Sequence, residues 1–196
     1  MNIVLATRNK KKIDEIKRIV RDMPATIYTL DDFPGCPEVE EDGKTFEENA
    51  VKKARAVSKY TKMPALADDS GLEVYALGGA PGVFSARYAG KGASDRDNTE
   101  KLLNEMSSVP NDNRGARFVC CIALAFPDSR VETFSGYAEG LIGKEPKGAN
   151  GFGYDPVFYP KGHERTFAEM FDKEKDLLSH RGAALGRVYD FLKRGL

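Results

Sequence analysis

The apolar run Ile3-Val4-Leu5-Ala6 has the length and the lack of polar interruption of a buried strand. Thr7, Arg8 and Asn9 follow, with Asn9 placed to cap a helix. Ile13, Ile16, Val20 and Met23 then recur every three or four residues, one apolar stripe of an amphipathic helix. Pro24 closes it, and residues 26–30 can form the next strand. Strand, short loop, helix, strand is the opening of an α/β fold.

The pattern then alternates between loop and element. Residues 31–44 form a loop rich in proline, glycine and acid. Phe46, Ala50, Ala54 and Val57 predict a second helix over residues 45–60. Residues 64–67 read as a buried strand running into Asp68-Asp69-Ser70-Gly71, and residues 72–77 can continue extended before the turns of Gly78-Gly79-Ala80-Pro81-Gly82. A third helix is predicted over 95–106, capped by Ser94. Residues 117–126 and 131–138 are β-rich and separated by Pro127-Asp128-Ser129, a hairpin signature. Glycines cluster from Gly140 to Gly153, residues 157–159 suit a short strand, and residues 173–192 a closing helix with Leu178, Leu185 and Leu192 seven apart. No repeat, low-complexity stretch or linker interrupts the chain.

Composition narrows the class. With 196 residues the chain is expected to form one domain, or two closely packed lobes. It is long enough to bury about 70% of its unfolded surface, so it needs no disulfide or metal to fold. Apolar residues at 41% and charged residues at 31% exclude disorder as the dominant state. The 30 basic and 30 acidic side chains cancel, which argues against general nucleic-acid coating. Cys36, Cys120 and Cys121 form no CxxC pair, and neighbours in a strand point to opposite faces, so buried reduced thiols are expected. No stretch approaches the roughly 20 apolar residues of a membrane span, and residues 1–6 are too short for a signal peptide. A reduced, cytoplasmic protein is the expectation.

Four segments could carry chemistry. Thr7-Arg8-Asn9-Lys10-Lys11-Lys12 sits where a strand opens into a helix, so free backbone N–H groups, the helix dipole and lysines could hold phosphates. It lacks the glycines of a Walker loop, and a capped helix with a solvated basic face is the plainer reading. Asp68 and Asp69 end a predicted strand, where α/β sites gather. Two adjacent carboxylates suit a divalent cation such as Mg²⁺, or simply an Asp-rich turn. In Gly148-Ala149-Asn150-Gly151-Phe152-Gly153-Tyr154-Asp155 the glycines let backbone approach a flat ligand, and Phe152 and Tyr154 could stack on a base or pack internally. Asp155 could accept from a base or sugar, or cap the turn. Lys175, His180 and Arg181 could donate to a phosphate or purine carbonyl, or form a solvated helix end. Two histidines, with no HExxH and no Cys-His spacing, argue against zinc.

In order along the chain stand TRNKKK after the first strand, FEENAVKKA at 46–54, ADDSGLEV at 67–74, PGVFSARY at 81–88, GFGYDPVF at 151–158, TFAEM at 166–170 and SHRGAAL at 179–185. This ordered set resembles the inosine triphosphate pyrophosphatase family, over nearly the whole chain. Where the family usually has glycine in the first motif, this chain has Arg8. The resemblance implies an α/β fold with a long mixed central sheet flanked by helices, and two lobes with a nucleotide cleft between them. It implies a single nucleotide pyrophosphatase domain over residues 1–196, a homodimer, and Mg²⁺ as cofactor. The implied reaction is hydrolysis of ITP, dITP and XTP to monophosphate and pyrophosphate. By the same resemblance, Thr7 to Lys12 and Lys53 hold phosphates, and Asp69 is the catalytic carboxylate and a metal ligand. Glu40 is the second metal ligand, in a loop that also carries Glu38, Glu41 and Asp42. Ser70 touches the nucleotide, while Phe152, Gly153, Tyr154, Asp155, Lys175, His180 and Arg181 bind base, ribose or phosphate.

Hypoxanthine and xanthine carry a carbonyl at C6 where adenine carries an amino donor, so a site offering donors there, from Arg181 or nearby backbone N–H groups, would disfavour adenine. A pyrophosphatase tuned to a modified pyrimidine or methylated guanine nucleotide is the same-chemistry rival. A nucleotide-sensing or single-strand RNA-binding module without turnover is the rival from another class. Its difficulty is that Asp68, Asp69 and the acidic loop would repel a phosphate backbone.

Overall fold

The computed structural model describes residues 1–194. In chain order the elements are β1 (Asn2–Leu5), α1 (Lys10–Ile19), β2 (Thr26–Tyr28), α2 (Phe46–Thr61), β3 (Ala65–Val74), α3 (Asp95–Glu105), β4 (Gly115–Ala125), β5 (Val131–Ile142), β6 (Phe158–Pro160), α4 (Asp172–Leu178) and α5 (His180–Lys193). The strands form one six-stranded sheet in the order β2-β1-β3-β4-β5-β6. β1 pairs in parallel with β2 and β3, and β5 pairs antiparallel with β6, so the sheet is mixed. The expected mixed α/β architecture is the one observed.

Among the described residues the chain gathers into two compact units, the first comprising residues 1–69, 120–136 and 181–194, the second residues 70–119 and 137–180. In the first, Ile3 and Leu5 of β1, Leu66 of β3 and Cys120, Ile122 and Leu124 of β4 alternate onto one face of the sheet. Ile16 of α1 and Ala184, Leu185 and Val188 of α5 complete that core. In the second, Leu72, Val74, Leu102, Phe118, Val157, Phe158 and Phe167 form a separate core.

Three elements differ from the sequence expectation. α1 ends at Ile19, with Val20 as its cap, so Met23 of the apolar stripe and Pro24 lie beyond it. β3 runs unbroken from Ala65 to Val74, so Asp68 and Asp69 lie inside a strand instead of in a turn at its end. The single closing helix is two helices, because Ser179 is extended (ψ 152°) between α4 and α5. The heptad leucines divide with it: Leu178 packs on the second core, Leu185 and Leu192 on the first.

Candidate active site

The first unit assembles its charged residues around β3. Asn9 caps α1 as expected, its side-chain oxygen accepting from the Lys12 N–H at 3.2 Å, and Thr7 Oγ1 accepts from the Asn9 N–H at 3.2 Å. Lys10 and Lys11 stand exposed at the first turn, while Arg8 donates to the Cys36 carbonyl at 2.9 Å. Lys12 turns inward and its Nζ meets Asp68 Oδ1 at 2.6 Å.

Strand alternation gives the two adjacent aspartates opposite surroundings. Asp68, 1% exposed, faces α1 and α5: Arg181 Nε lies 2.9 Å from Oδ2, and the Cys120 thiol donates to the same oxygen at 3.1 Å. Burial would raise the Asp68 pKa, but the charges of Arg181 and Lys12 override it and hold the carboxyl well below the carboxylate range. Asp69, 6% exposed, faces α2, where Lys53 Nζ donates to Oδ1 at 3.1 Å and to the Asp68 carbonyl at 2.8 Å. Its pKa is raised from 3.8, because burial outweighs the pull of Lys53 and Lys12. Burial works against the Lys53 charge too, yet Asp69 and Glu41 raise its pKa.

The acidic loop arrives through Glu41, whose Oε1 sits 2.5 Å from Lys53 Nζ. Glu40, expected as the second metal ligand, is exposed one position away. Arg181 is 1% exposed, with Nε on Asp68 and Nη1 on Glu15 Oε2 at 2.9 Å, so its guanidinium is held between protein carboxylates. Glu15 and Cys120 are the members of this network that sequence reasoning missed. The signal was faint: Glu15 is a buried acid beside the Ile16 stripe, and Cys120 lies on the same strand face as Ile122 and Leu124.

The second unit holds the remaining expected residues. Asp155 is buried and its Oδ2 accepts from the Phe152 N–H at 2.8 Å and from Lys175 Nζ at 2.7 Å, so it caps the loop and pairs with lysine together. Gly151 has φ +72°, and a side chain there would run into the Asp155 carboxylate, which is why glycine is needed. Lys175 Nζ lies 4.9 Å from the Phe152 ring centroid. Phe152 stays partly exposed, as does Gly153, whose carbonyl accepts from Thr99 Oγ1 at 3.4 Å. Tyr154 is 3% exposed within the second core, and its hydroxyl donates to the Ser85 carbonyl at 2.9 Å, so of the two aromatics only Phe152 offers a face for stacking. The His180 ring stacks on Phe118, 4.6 Å between centroids and 8° from parallel. Ser70 is half-buried at the point where β3 passes from one unit to the next. Ser85 holds its loop by accepting from the Leu72 N–H at 2.9 Å and donating to the Gly82 carbonyl at 2.6 Å.

Residues 3–191 match the Ham1 family. The chain belongs to that family. A dITP/XTP pyrophosphatase of Geobacter sulfurreducens is 53% identical over 190 residues, covering 97% of this chain and 96% of its own. One of Desulforamulus reducens is 50% identical over 194 residues, covering 99% and 96%. Among solved structures, a HAM1 protein from Coxiella burnetii has a TM-score of 0.91 at 44% identity, with 100% of both chains covered. The Staphylococcus aureus Ham1 protein has a TM-score of 0.89 at 41% identity over the same coverage.

In this Ham1 chain the donor set suits a hard cation only in part. Asp68 has both oxygens engaged by Lys12, Arg181 and Cys120. Asp69 gives one oxygen to Lys53, and its Oδ2 accepts no hydrogen bond among the described residues. Among the described residues no group of three or more His, Cys, Asp or Glu side chains is gathered as a ready-made metal cage. One open carboxylate oxygen beside an acidic loop fits Mg²⁺, which takes one or two carboxylates and completes its shell with phosphate oxygens and water.

Proposed function

We propose that this protein hydrolyses deaminated purine nucleoside triphosphates, ITP, dITP and XTP, at the α–β phosphoanhydride, releasing the monophosphate and pyrophosphate. The observation that carries the reading is Asp69: a buried carboxylate with one oxygen on Lys53 and the other open, in a chain about half identical to dITP/XTP pyrophosphatases along their length.

The residues divide the work. The first turn of α1, with Thr7, Arg8, Asn9, Lys10 and Lys11, presents N–H groups and positive charge to the triphosphate. Lys53 adds a buried ammonium, and Lys12 helps through Asp68. Asp69 orients the attacking water and takes its proton, a role favoured by burial that raises its basicity. Asp69, with the acidic loop of Glu40 and Glu41, would hold Mg²⁺, which when bound would neutralise charge at the phosphates and lower the pKa of water. Pyrophosphate then leaves with its charge offset by lysine, and no covalent intermediate is needed. In the second unit, Phe152 stacks on the base, while Asp155 and Lys175 fix its loop. His180 and the backbone N–H groups of Gly153 and Tyr154 are assigned to the C6 carbonyl and ribose, those of Phe152 and Asp155 being bonded within the loop. Ser70 touches the nucleotide. Arg181 acts through Asp68, which it positions. Residues 1–196 serve as one nucleotide pyrophosphatase domain of a cytoplasmic homodimer, a location supported by three free cysteines. No helix among the described residues is long and apolar enough to cross a membrane.

The test is product analysis with dITP, XTP, dGTP and dATP, with Mg²⁺ or EDTA. Pyrophosphate from dITP and XTP, lost with EDTA, is the expected result. Orthophosphate release would move cleavage to the terminal phosphate, and tight binding without turnover would favour a nucleotide sensor.

A further inference from the structure

The acidic loop is fastened to α2 by four contacts that run in opposite directions along the two segments. Lys44 N–H donates to Glu48 Oε2 (2.6 Å), Gly43 N–H to Asn49 Oδ1 (2.8 Å), Lys52 Nζ to Asp42 Oδ1 (2.6 Å) and Lys53 Nζ to Glu41 Oε1 (2.5 Å). Loop numbers fall as helix numbers rise, so the arrangement is a zipper. Residues four apart share a helix face. Asn49 and Lys53, on one stripe, take Gly43 and Glu41, while Glu48 and Lys52, on the next, take Lys44 and Asp42.

The rungs are unequal. The Lys52–Asp42 pair is exposed, with side chains 42% and 61% accessible, and such pairs contribute little. The Lys44–Glu48 contact is also exposed. The Gly43–Asn49 rung rests on a side chain that is 1% exposed. A Cβ at residue 43 would lie 2.6 Å from Asn49 Oδ1 and 2.9 Å from Glu48 Cβ, so only glycine comes this close. Asn49 also carries a cost, because its buried Nδ2 finds no partner among the described residues. What Oδ1 does secure is the register. A slip of one residue would bring Glu40 or Asp42 to Lys53 in place of Glu41.

We infer that Asn49 is a positioning residue: with Gly43 it latches the acidic loop onto α2 in the register that delivers Glu41 to Lys53 beside Asp69. The inference rests on the proposed hydrolysis for its kinetic consequence, though not for its structural one.

Asn49→Ala, Gly43→Ala and the double variant test it by two readouts. One is steady-state hydrolysis of dITP with pyrophosphate detection; the other is mass spectrometry of Glu-C cleavage after Glu40 and Glu41, with a thermal melt confirming that each variant folds. Each single variant is expected to lose about 100-fold in kcat, the scale of a misplaced catalytic group, with KM changed far less. The double variant should be no slower than either single one, because both cut the same rung. Cleavage in the acidic loop should rise in all three. Wild-type kcat in both single variants, losses that multiply in the double, or unchanged cleavage would overturn the latch. Should Asn49→Ala fail to fold, Gly43→Ala carries both readouts. If the wild type released no pyrophosphate, the hydrolase reading would fail, and the cleavage experiment would still decide the latch.

Discussion

Asp68 and Asp69 are consecutive residues of β3 with opposite electrostatic fates: Asp68 is held well below the ordinary carboxylate pKa and Asp69 is lifted above it. The cause is the two-residue period of a strand. One face meets Arg181 and Lys12, two cations on a fully buried acid; the other meets one lysine that Asp69 shares with Glu41. The same strand thus supplies an anchor held ionised at neutral pH and a carboxylate better able to accept a proton.

Asp69→Asn should abolish turnover without unfolding the protein. Loss of a general base costs about 10² to 10⁴ in rate. A carboxyl whose folded pKa is raised is a net burden when charged, so its amide should melt no lower than the wild type at neutral pH. Pyrophosphate release, equilibrium binding of dITP and a melting curve check all three points. Activity within about tenfold of wild type would remove Asp69 from the role of base.

Asp68→Asn should do the reverse and strike stability first. It leaves Arg181 and Lys12 short of an anion in a buried site, a loss of about 3–5 kcal/mol. The sign with pH follows from the depressed pKa. Stability contributed by Asp68 is fully present above its unfolded value near 3.8 and drains away as pH falls through the lower folded value. Denaturant melts between pH 7 and pH 3 should therefore fall less steeply in the variant than in the wild type. Parallel profiles would mean that the network does not hold Asp68 ionised.

Phe152 and Tyr154 should separate cleanly. Phe152 is partly exposed beside Lys175, and Phe152→Ala removes a stacking platform worth about 1–3 kcal/mol per base, which should appear in KM for dITP. Tyr154→Phe removes a hydroxyl bonded to the Ser85 carbonyl inside the core, so it should lower stability by about 1 kcal/mol and leave KM alone. A KM change in Tyr154→Phe larger than that in Phe152→Ala would reverse the assignment.

Local signals carried the fold well where one element follows its own cap and period. Asn9, Thr45 and Ser94 cap α1, α2 and α3 where the polar residue precedes the apolar stripe. The failures are non-local. Asp68-Asp69 admits the reading of an Asp-rich turn because two acids in a buried strand are tolerable only when cations meet them, and these come from afar: Lys53 for Asp69, and Lys12 and Arg181, the latter 113 positions along the chain, for Asp68. Residues 173–192 read as one helix because the leucine heptad continues through Ser179, while the chain there passes from one core to the other. The ion pair of Glu41 with Lys53 was not legible because the loop has no period; the zipper to α2 sets its register instead.

The cysteines allow a prediction about access and charge together. Cys36, Cys120 and Cys121 are all buried and free. Burial lifts the Cys121 thiol to about 11, with Glu47 adding to it. Burial and the neighbouring Asp68 carboxylate push Cys120 well above 9.0. Burial raises Cys36 too, but the Arg8 charge pulls back. A thiol of pKa near 11 is roughly a thousandth ionised at pH 8, and alkylation needs the thiolate. Native protein treated with iodoacetamide at pH 8 should therefore label slowly and at Cys36 first, whereas protein in strong urea should label at all three positions. Intact-mass measurement over time, with peptide mapping, gives the order. Labelling of Cys120 ahead of Cys36 would show that the face of β4 carrying the Asp68 contact opens more readily than the loop at Cys36, contrary to a network closed by Arg181, Lys12 and Glu15.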